Sequence, residues 1–159
     1  MAIKIRPMMK RDKPAIMKIL RATPEFKPSE VVVAEQVIDG YLHNSHQSGY
    51  HVLVAEVDRL VAGYICYGPT PLTEGTWDIY WMAVAQEEQK QGIGSTLMAF
   101  AEDKIKKAQG RLAIIETSSK PEYEKTRRFH HHHGYELIGR IPDFYAPRDD
   151  KLILQKRLR

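Results

Sequence analysis

The sequence has a single cysteine, Cys66, which excludes a framework of internal disulfides. Cys66 lies in the strand-like run VAGYICYG, which predicts a buried and inert thiol. No apolar run approaches the roughly 20 residues that a membrane-spanning helix needs, and residues 1–14 lack the apolar region of a signal peptide. From these absences we expect no membrane anchor and a cytoplasmic location.

An excess of charge of one sign is also missing. The 24 basic and 20 acidic residues are interspersed and leave a net charge of +4. The dense basic clusters, residues 104–111 and 156–159, contain no aromatic residues of the kind that stack on bases. Nucleic acid is therefore not an expected partner.

The apolar content of 43% in 159 residues is enough for one globular domain, which we expect to span residues 1–159. Hydrophobic periodicity predicts an α+β domain with the element order β-α-α-β-β-β-α-β-α-β-β. Pro14 suits the first turn of the first helix, and Ser29 is the candidate N-cap of a second helix over residues 29–43. Asp58–Arg59 predicts a hairpin between two apolar strands, and residues 43–49 read as a polar loop.

The longest helical pattern runs from Gly92 to Lys107, with Gly110 as its expected C-cap. A later helix is predicted over residues 122–133, ended by Gly134. The apolar face of the long helix is predicted to comprise Ile93, Leu97, Phe100, Ala101 and Ile105.

Two glycines, Gly92 and Gly94, stand in EEQKQGIGSTL, between the predicted strand TWDIYWMAVA and this helix. The first amides of a helix have no partners within the helix, and its dipole favours negative charge at that end. Glycines let a phosphate approach the backbone closely. The stretch therefore predicts an anion site that takes backbone and side-chain donors from Gln89, Lys90, Gln91, Gly92, Ile93, Gly94, Ser95 and Thr96.

Other glycine motifs fit this stretch less well. A Walker loop needs a lysine directly before its Ser/Thr, and here Ser95–Thr96 follow Gly94 without one. A dinucleotide fingerprint needs a third glycine where this sequence has Leu97. Two turn glycines at an ordinary helix N-terminus remain the alternative.

The pattern Gln-x-x-Gly-x-Gly after YWMAV resembles the GNAT superfamily of N-acetyltransferases. TRRFHHHHGYE resembles a second motif of that family, A-x-x-Phe-Tyr-x-x-x-Gly-Phe, with Thr126, Phe129 and Gly134–Tyr135 at the matching positions. The resemblance covers essentially the whole chain, since the element order also matches. It implies a three-layer fold with a central mixed, mostly antiparallel sheet of six to seven strands, flanked by about four helices.

The same resemblance implies acetyl-CoA as co-substrate and direct transfer of its acetyl group, in a ternary complex, to the primary amine of a small molecule or a peptide N-terminus. Met82, Ala83 and Val84 would bind the pantetheine arm through their amides, and the amide of Val84 or Met82 would polarise the thioester carbonyl. Beyond the glycine stretch, the resemblance extends the cofactor site to Ser119 and Phe129.

The family's usual acid is the tyrosine after the phenylalanine of the second motif, and this sequence has His130 there. A histidine titrates near 6.5 when unperturbed, so His130 is the predicted proton donor to the departing thiolate. Tyr123, Tyr135, Tyr145 or a bound water is the alternative.

The candidate bases are Glu116, which is preferred, and Asp78; a structural ion pair or a surface carboxylate is the alternative for each. Strict alternation along this strand puts Asp78, Tyr80 and Met82 on one face. The other face would carry Trp77, Ile79 and Trp81. Tyr80, Asp143 and Tyr145 are the predicted acceptor-binding residues.

His130 and His133 would share a helix face, but no third ligand is evident, so no metal site is predicted. The resemblance also offers the last strands as the place for a homodimer contact. A non-catalytic acetyl-CoA-binding module and a basic nucleic-acid-binding domain are the alternative functions.

Overall fold

A computed structural model describes residues 2–89 and 91–159 of the chain. Over these residues, strands form one sheet in the order β1-β2-β3-β4-β5-β7-β6. The strands are β1 Ile3–Pro7, β2 His51–Val57, β3 Leu60–Pro69, β4 Thr76–Val84, β5 Leu112–Ser118, β6 Glu136–Ala146 and β7 Asp149–Arg157. The helices are α1 Lys13–Ala22, α2 Pro28–His43, α3 Ser45–Ser48, α4 Ile93–Lys107 and α5 Glu124–His132.

The sheet is mixed and mostly antiparallel, because only β4 and β5 run parallel among the paired strands of the described residues. Helix α4 packs on one face over a core that includes Leu97, Ile105 and Tyr135. Helices α1 and α2 pack on the other face over a second core that includes Leu20 and Ile38. The predicted fold class and element order are confirmed, with the one-turn helix α3 in addition.

The predicted face of α4 is wrong at one position. Phe100 is 44% exposed, whereas Met98 is fully buried. The buried face is centred near Ala101, and successive residues of a helix are rotated by about 100°. Phe100 therefore points away from the sheet although its neighbour faces it.

Helix boundaries also differ from the prediction: α5 spans Glu124–His132 and not residues 122–133, because Pro121–Tyr123 form a separate 3-10 turn. Helix α2 begins at Pro28, one residue before Ser29, and its N-cap is Lys27. Proline suits this first position because its ring fixes φ and the helix needs no N–H there. The predicted polar loop at residues 43–49 contains α3, whose first turn is capped by the Asn44 side chain accepting from the Gln47 amide at 3.3 Å.

The glycine after α4 serves packing rather than a left-handed cap. Gln109 takes the left-handed conformation, with φ of 68°. A Cβ at Gly110 would overlap Ile105 and lie 3.0 Å from Trp77. Gly110 is thus needed because the chain passes close beneath the helix end.

The predicted hairpin at Asp58–Arg59 is confirmed: it joins β2 to β3, and both residues have positive φ, as a tight two-residue hairpin requires. No helix in the described ranges has both the length and the apolar character to cross a membrane.

Candidate active site

The sheet opens between β4 and β5. Their parallel pairing covers only Thr76–Ile79 against Leu112–Ile115. Beyond these pairs, β4 continues beside β3 alone and β5 continues beside β7 alone. The two strands therefore leave an unpaired gap at their C-terminal ends, which is where α4 begins.

A β-bulge at Tyr80 marks the start of this gap. Cys66 of β3 pairs with Trp81, but the next residue, Tyr67, pairs with Ile79, so Tyr80 is the extra residue. The bulge overturns strict alternation along β4. Trp81 packs on the α1–α2 side, opposite to Ile79, and Met82 packs on the α4 side.

The backbone of β4 directs two amides into the gap. The Ala85 amide donates to the Ala62 carbonyl of β3 at 2.8 Å. Successive residues of a strand turn their N–H and C=O groups to alternate sides. The amides of Val84 and Met82 therefore face away from β3, and the Ala83 backbone faces it.

The two glycines of the turn before α4 have different physical roles. Gly92 has φ of 81°, and a Cβ there would have no neighbour within 4 Å. A Cβ at Gly94 would lie 3.3 Å from the ring of Phe129. Gly92 thus keeps open space at the helix N-terminus, whereas the space at Gly94 is taken by Phe129 and not by a ligand.

The side chains around this turn are partly engaged within the protein. The Thr96 hydroxyl donates to the Gly92 carbonyl at 2.8 Å, and Ser95 Oγ lies 3.0 Å from His133 Nε2. The Gln89 side chain donates to the Val84 carbonyl at 3.3 Å and accepts from Lys125 at 3.0 Å. The side chains of Thr96, Ser95 and Gln89 are therefore already hydrogen-bonded within the protein.

The other predicted loop residues contribute in different ways. Gln91 is exposed at the rim of the turn, and the Ile93 side chain is buried in the core, so Ile93 offers only its backbone. Lys90 lies outside the described residues.

His130 is buried in the structure, with 5% of its surface exposed. Burial, reinforced by His133, lowers the pKa of His130 to about 4. The expectation that it titrates near 6.5 is therefore wrong, because the charged imidazolium loses its hydration in this setting. At neutral pH His130 is a neutral imidazole, which can donate an N–H but carries no extra proton.

The alternative tyrosines lie in three different settings. Tyr135 is buried and donates to Glu102 of α4 at 2.8 Å. Tyr123 donates to the Glu25 carbonyl at 2.8 Å and joins the start of α5 to the α1–α2 segment. Tyr145 is 45% exposed on β6, and its pKa is raised first by burial and then by Glu116 and other nearby carboxylates.

The two candidate bases differ in their partners. Glu116 Oε2 lies 2.9 Å from Lys151 Nζ, so Glu116 forms the structural ion pair that was the alternative to its role as a base. Asp78 Oδ2 accepts from the Thr70 hydroxyl at 2.6 Å and lies 3.5 Å from the Tyr80 hydroxyl. Burial, followed by Asp78, raises the pKa of Tyr80 to about 12, so this tyrosine stays protonated.

Two of the predicted site residues, Ser119 and Asp143, accept hydrogen bonds from backbone amides in the β6–β7 region. Ser119 Oγ accepts from the Asp150 amide at 2.8 Å. Asp143 Oδ1 accepts from the Arg148 amide at 2.8 Å, and both of these residues have positive φ. The Asp143 carboxylate thus helps to close the hairpin, which is a structural use of this side chain.

The histidine run does not form a metal site with its neighbours. His130 and His133 face the interior while His131 and His132 are exposed, as predicted. Within residues 2–89 and 91–159, no three His, Cys, Asp or Glu side chains are placed to share a metal ion.

Residues 48–137 match the family model for the acetyltransferase (GNAT) domain, and the chain belongs to this family. A GNAT-family protein from Desulfovibrio desulfuricans is 36% identical, with 99% of this chain and 100% of that chain covered and a TM-score of 0.95.

Two more distant structures share the fold. The ribosomal-protein-S18-alanine N-acetyltransferase from Escherichia coli is 17% identical, with 99% of this chain and 94% of that chain covered and a TM-score of 0.77. The protein yncA from Salmonella typhimurium, whose structure contains its cofactor acetyl-CoA, is 22% identical, with 100% of this chain and 95% of that chain covered and a TM-score of 0.79. No curated protein matches the sequence significantly.

Proposed function

We propose that this protein is an acetyl-CoA-dependent N-acetyltransferase that moves the acetyl group directly to a primary amine of a small molecule or a peptide N-terminus. The observation that carries the proposal is the end of pairing at Ile79 and Ile115, which leaves the amides of Met82 and Val84 directed into the gap. The match to the acetyltransferase family and the acetyl-CoA of a structural neighbour support it.

The residues around the gap fit this cofactor. Met82 and Val84 would bind the pantetheine arm as a neighbouring strand does, and the N–H group of one of them, Val84 or Met82, would polarise the thioester carbonyl. Gly92 and the first amides of α4 would hold the diphosphate. When bound, acetyl-CoA supplies an acetyl group that is already activated as a thioester.

Direct transfer to the amine agrees with the state of the cysteine. Cys66 is the chain's single cysteine, it is 1% exposed, and burial raises its pKa to about 12. A protonated, inaccessible thiol cannot carry an acyl group. We therefore infer that both substrates are bound together when the acetyl group moves.

We favour Asp78 as the base that takes the proton from the amine, and His130 as a hydrogen-bond donor that stabilises the departing thiolate without protonating it. Glu116 is less suited than Asp78 to act as the base, because Glu116 is held in an ion pair with Lys151 at 2.9 Å. Asp78 would accept the amine proton through a water, next to the bulge where the gap begins. His130 would donate a hydrogen bond from its neutral ring to the departing sulfur.

We further propose that Tyr80 and Tyr145, which are 37% and 45% exposed, contact the acceptor, and that the protein acts in the cytoplasm.

Self-association through the last strands is supported by the apolar surface of β6. Leu137 and Ile138 on this edge strand are 57% and 55% exposed.

The proposal is tested by thermal unfolding with acetyl-CoA and by CoA release against a panel of primary amines and peptides. We expect Asp78→Asn to lower kcat by about 100-fold or more at saturating acetyl-CoA, and Glu116→Gln to change it little. Intersecting initial-velocity lines are expected for a ternary complex, and parallel lines would contradict direct transfer.

Two other results would redirect the assignment. Stabilisation by acetyl-CoA without turnover of any amine would leave a non-catalytic cofactor-binding module. Neither stabilisation nor turnover, together with salt-sensitive binding to nucleic acid, would refute the proposed enzyme.

A further inference from the structure

The C-terminal end of α5 contacts the first turn of α4. Ser95 is the third residue of α4, and its Oγ lies 3.0 Å from Nε2 of His133, the residue that follows α5. The His133 ring also packs on Phe129 with 4.4 Å between ring centroids. Phe129 in turn fills the space beside Gly94, so Phe129 and His133 contact two consecutive residues at the start of α4, Gly94 and Ser95.

The surroundings of His133 favour the neutral form of its imidazole. Burial lowers its pKa, and Lys156 and His132 lower it further, whereas Glu102 raises it. The charge of Glu102 is balanced by Lys156, whose Nζ lies 2.8 Å from its carboxylate. A neutral ring has one N–H donor and one acceptor nitrogen, so Nε2 can donate to Ser95 when it carries the proton.

The direction of this hydrogen bond decides what Ser95 can offer to a ligand. A serine hydroxyl has one hydrogen to donate and two lone pairs to accept with. When His133 Nε2–H donates to Ser95 Oγ, the serine hydrogen is free for an acceptor at the helix N-terminus. Thr96 cannot supply the same donor because its hydroxyl is bonded to the Gly92 carbonyl.

We propose that His133 is a positioning residue of the cofactor site, which holds Ser95 so that the serine hydroxyl donates to a diphosphate oxygen at the N-terminus of α4. The inference rests on the proposed function and explains why one histidine of the run 130–133 faces the glycine turn. It assigns His133 no contact with the acetyl group, so it concerns binding and not the chemical step.

The test compares His133→Leu and His133→Gln with His132→Leu, a matched control at an exposed neighbouring position. The measurements are the Kd for acetyl-CoA, kcat at saturating acetyl-CoA, and kcat/KM with S-acetylpantetheine, a donor that lacks the diphosphate. We expect His133→Leu to weaken acetyl-CoA binding about three- to tenfold, the value of one hydrogen bond. The kcat and the reaction with S-acetylpantetheine should not change.

His133→Gln should recover most of the affinity because its amide can donate to Ser95, and His132→Leu should bind like the wild type. Ser95→Ala should show the same loss as His133→Leu, and the double variant should lose no more than either single change. The inference would be overturned, while the enzyme assignment stands, if His133→Leu bound acetyl-CoA as tightly as the wild type. The same holds if His133→Leu lost activity equally with acetyl-CoA and with S-acetylpantetheine. If the wild type itself does not bind acetyl-CoA, the proposed function fails first.

Discussion

Gly92 offers the sharpest test of how the turn before α4 works. Its φ of 81° lies in the left-handed region, and no atom lies within 4 Å of the position that a Cβ would take. For an L-residue this conformation costs about 1–2 kcal/mol, and alanine regains part of that because it restricts the unfolded chain. We expect Gly92→Ala to lower the free energy of unfolding by about 1 kcal/mol, a drop of about 2–4 °C in Tm.

The larger effect should be on ligand binding, because the methyl group would occupy the open space in which we propose that the diphosphate binds. Acetyl-CoA at 100 times its Kd stabilises a protein by about 2.7 kcal/mol. A tenfold weaker Kd at the same concentration leaves about 1.4 kcal/mol. Thermal unfolding with and without acetyl-CoA should therefore show a ligand-induced shift in Gly92→Ala of about half the wild-type value.

Two further variants separate strain from steric exclusion. Gly49 has a similar φ of 77° and also has no atom within 4 Å of its would-be Cβ, so Gly49→Ala should cost similar stability but keep the full ligand-induced shift. Gly92→Asn should be less destabilising than Gly92→Ala, since asparagine tolerates the left-handed region, yet bind acetyl-CoA equally poorly. A full wild-type shift in both Gly92 variants would refute the role given to this turn.

Two other predictions concern stability. Because the pKa of His130 is lowered to about 4, the unfolded chain binds more protons between pH 6.5 and 4; the stability present above pH 6.5 is lost as the pH falls through this window. Between pH 7 and 4, the free energy of unfolding measured with denaturant should fall by up to about 3 kcal/mol more in the wild type than in His130→Leu. Parallel pH profiles of the two proteins would contradict the burial of this ring. Gly110→Ala should lower the free energy of unfolding by about 2 kcal/mol or more, since its methyl group would overlap Ile105. Gly40→Ala, in an open position of α2, should instead raise the free energy of unfolding by about 0.5–1 kcal/mol. Equal urea midpoints for the two variants would contradict the close packing at Gly110.

The periodicity of the sequence predicted the strands and helices well because it reports which side of each element is apolar. It failed where one residue breaks the repeat. The bulge at Tyr80 reverses the faces of Trp81 and Met82, and no local residue pattern announces it, since the extra residue is defined by the partner strand β3. Phe100 shows the same limit in a helix, where the neighbouring elements decide which part of a wide apolar stripe is covered.

The backbone part of the candidate site was accessible from the sequence, but its side-chain partners were not. A glycine turn before a helix indicates free amides wherever it occurs, because helix geometry fixes them. The ion pair of Glu116 with Lys151 and the contact of Ser95 with His133 join residues that are 35 and 38 positions apart. The lowered pKa of His130 likewise depends on burial by the whole fold, so residue type alone gave the wrong value.

The short pairing between β4 and β5 has a mechanical consequence. Four residue pairs, Thr76–Ile79 with Leu112–Ile115, join a unit of β1 to β4 with a unit of β5 to β7 within the sheet. This is the shortest strand pairing of the sheet among the described residues, so we expect the width of the gap to follow the angle between the two units. A cofactor arm paired along β4 would fix the two units relative to each other. We therefore expect cofactor affinity to depend on the stiffness of the whole sheet. Substitutions that loosen β5 against β7 should therefore reduce binding without touching the site.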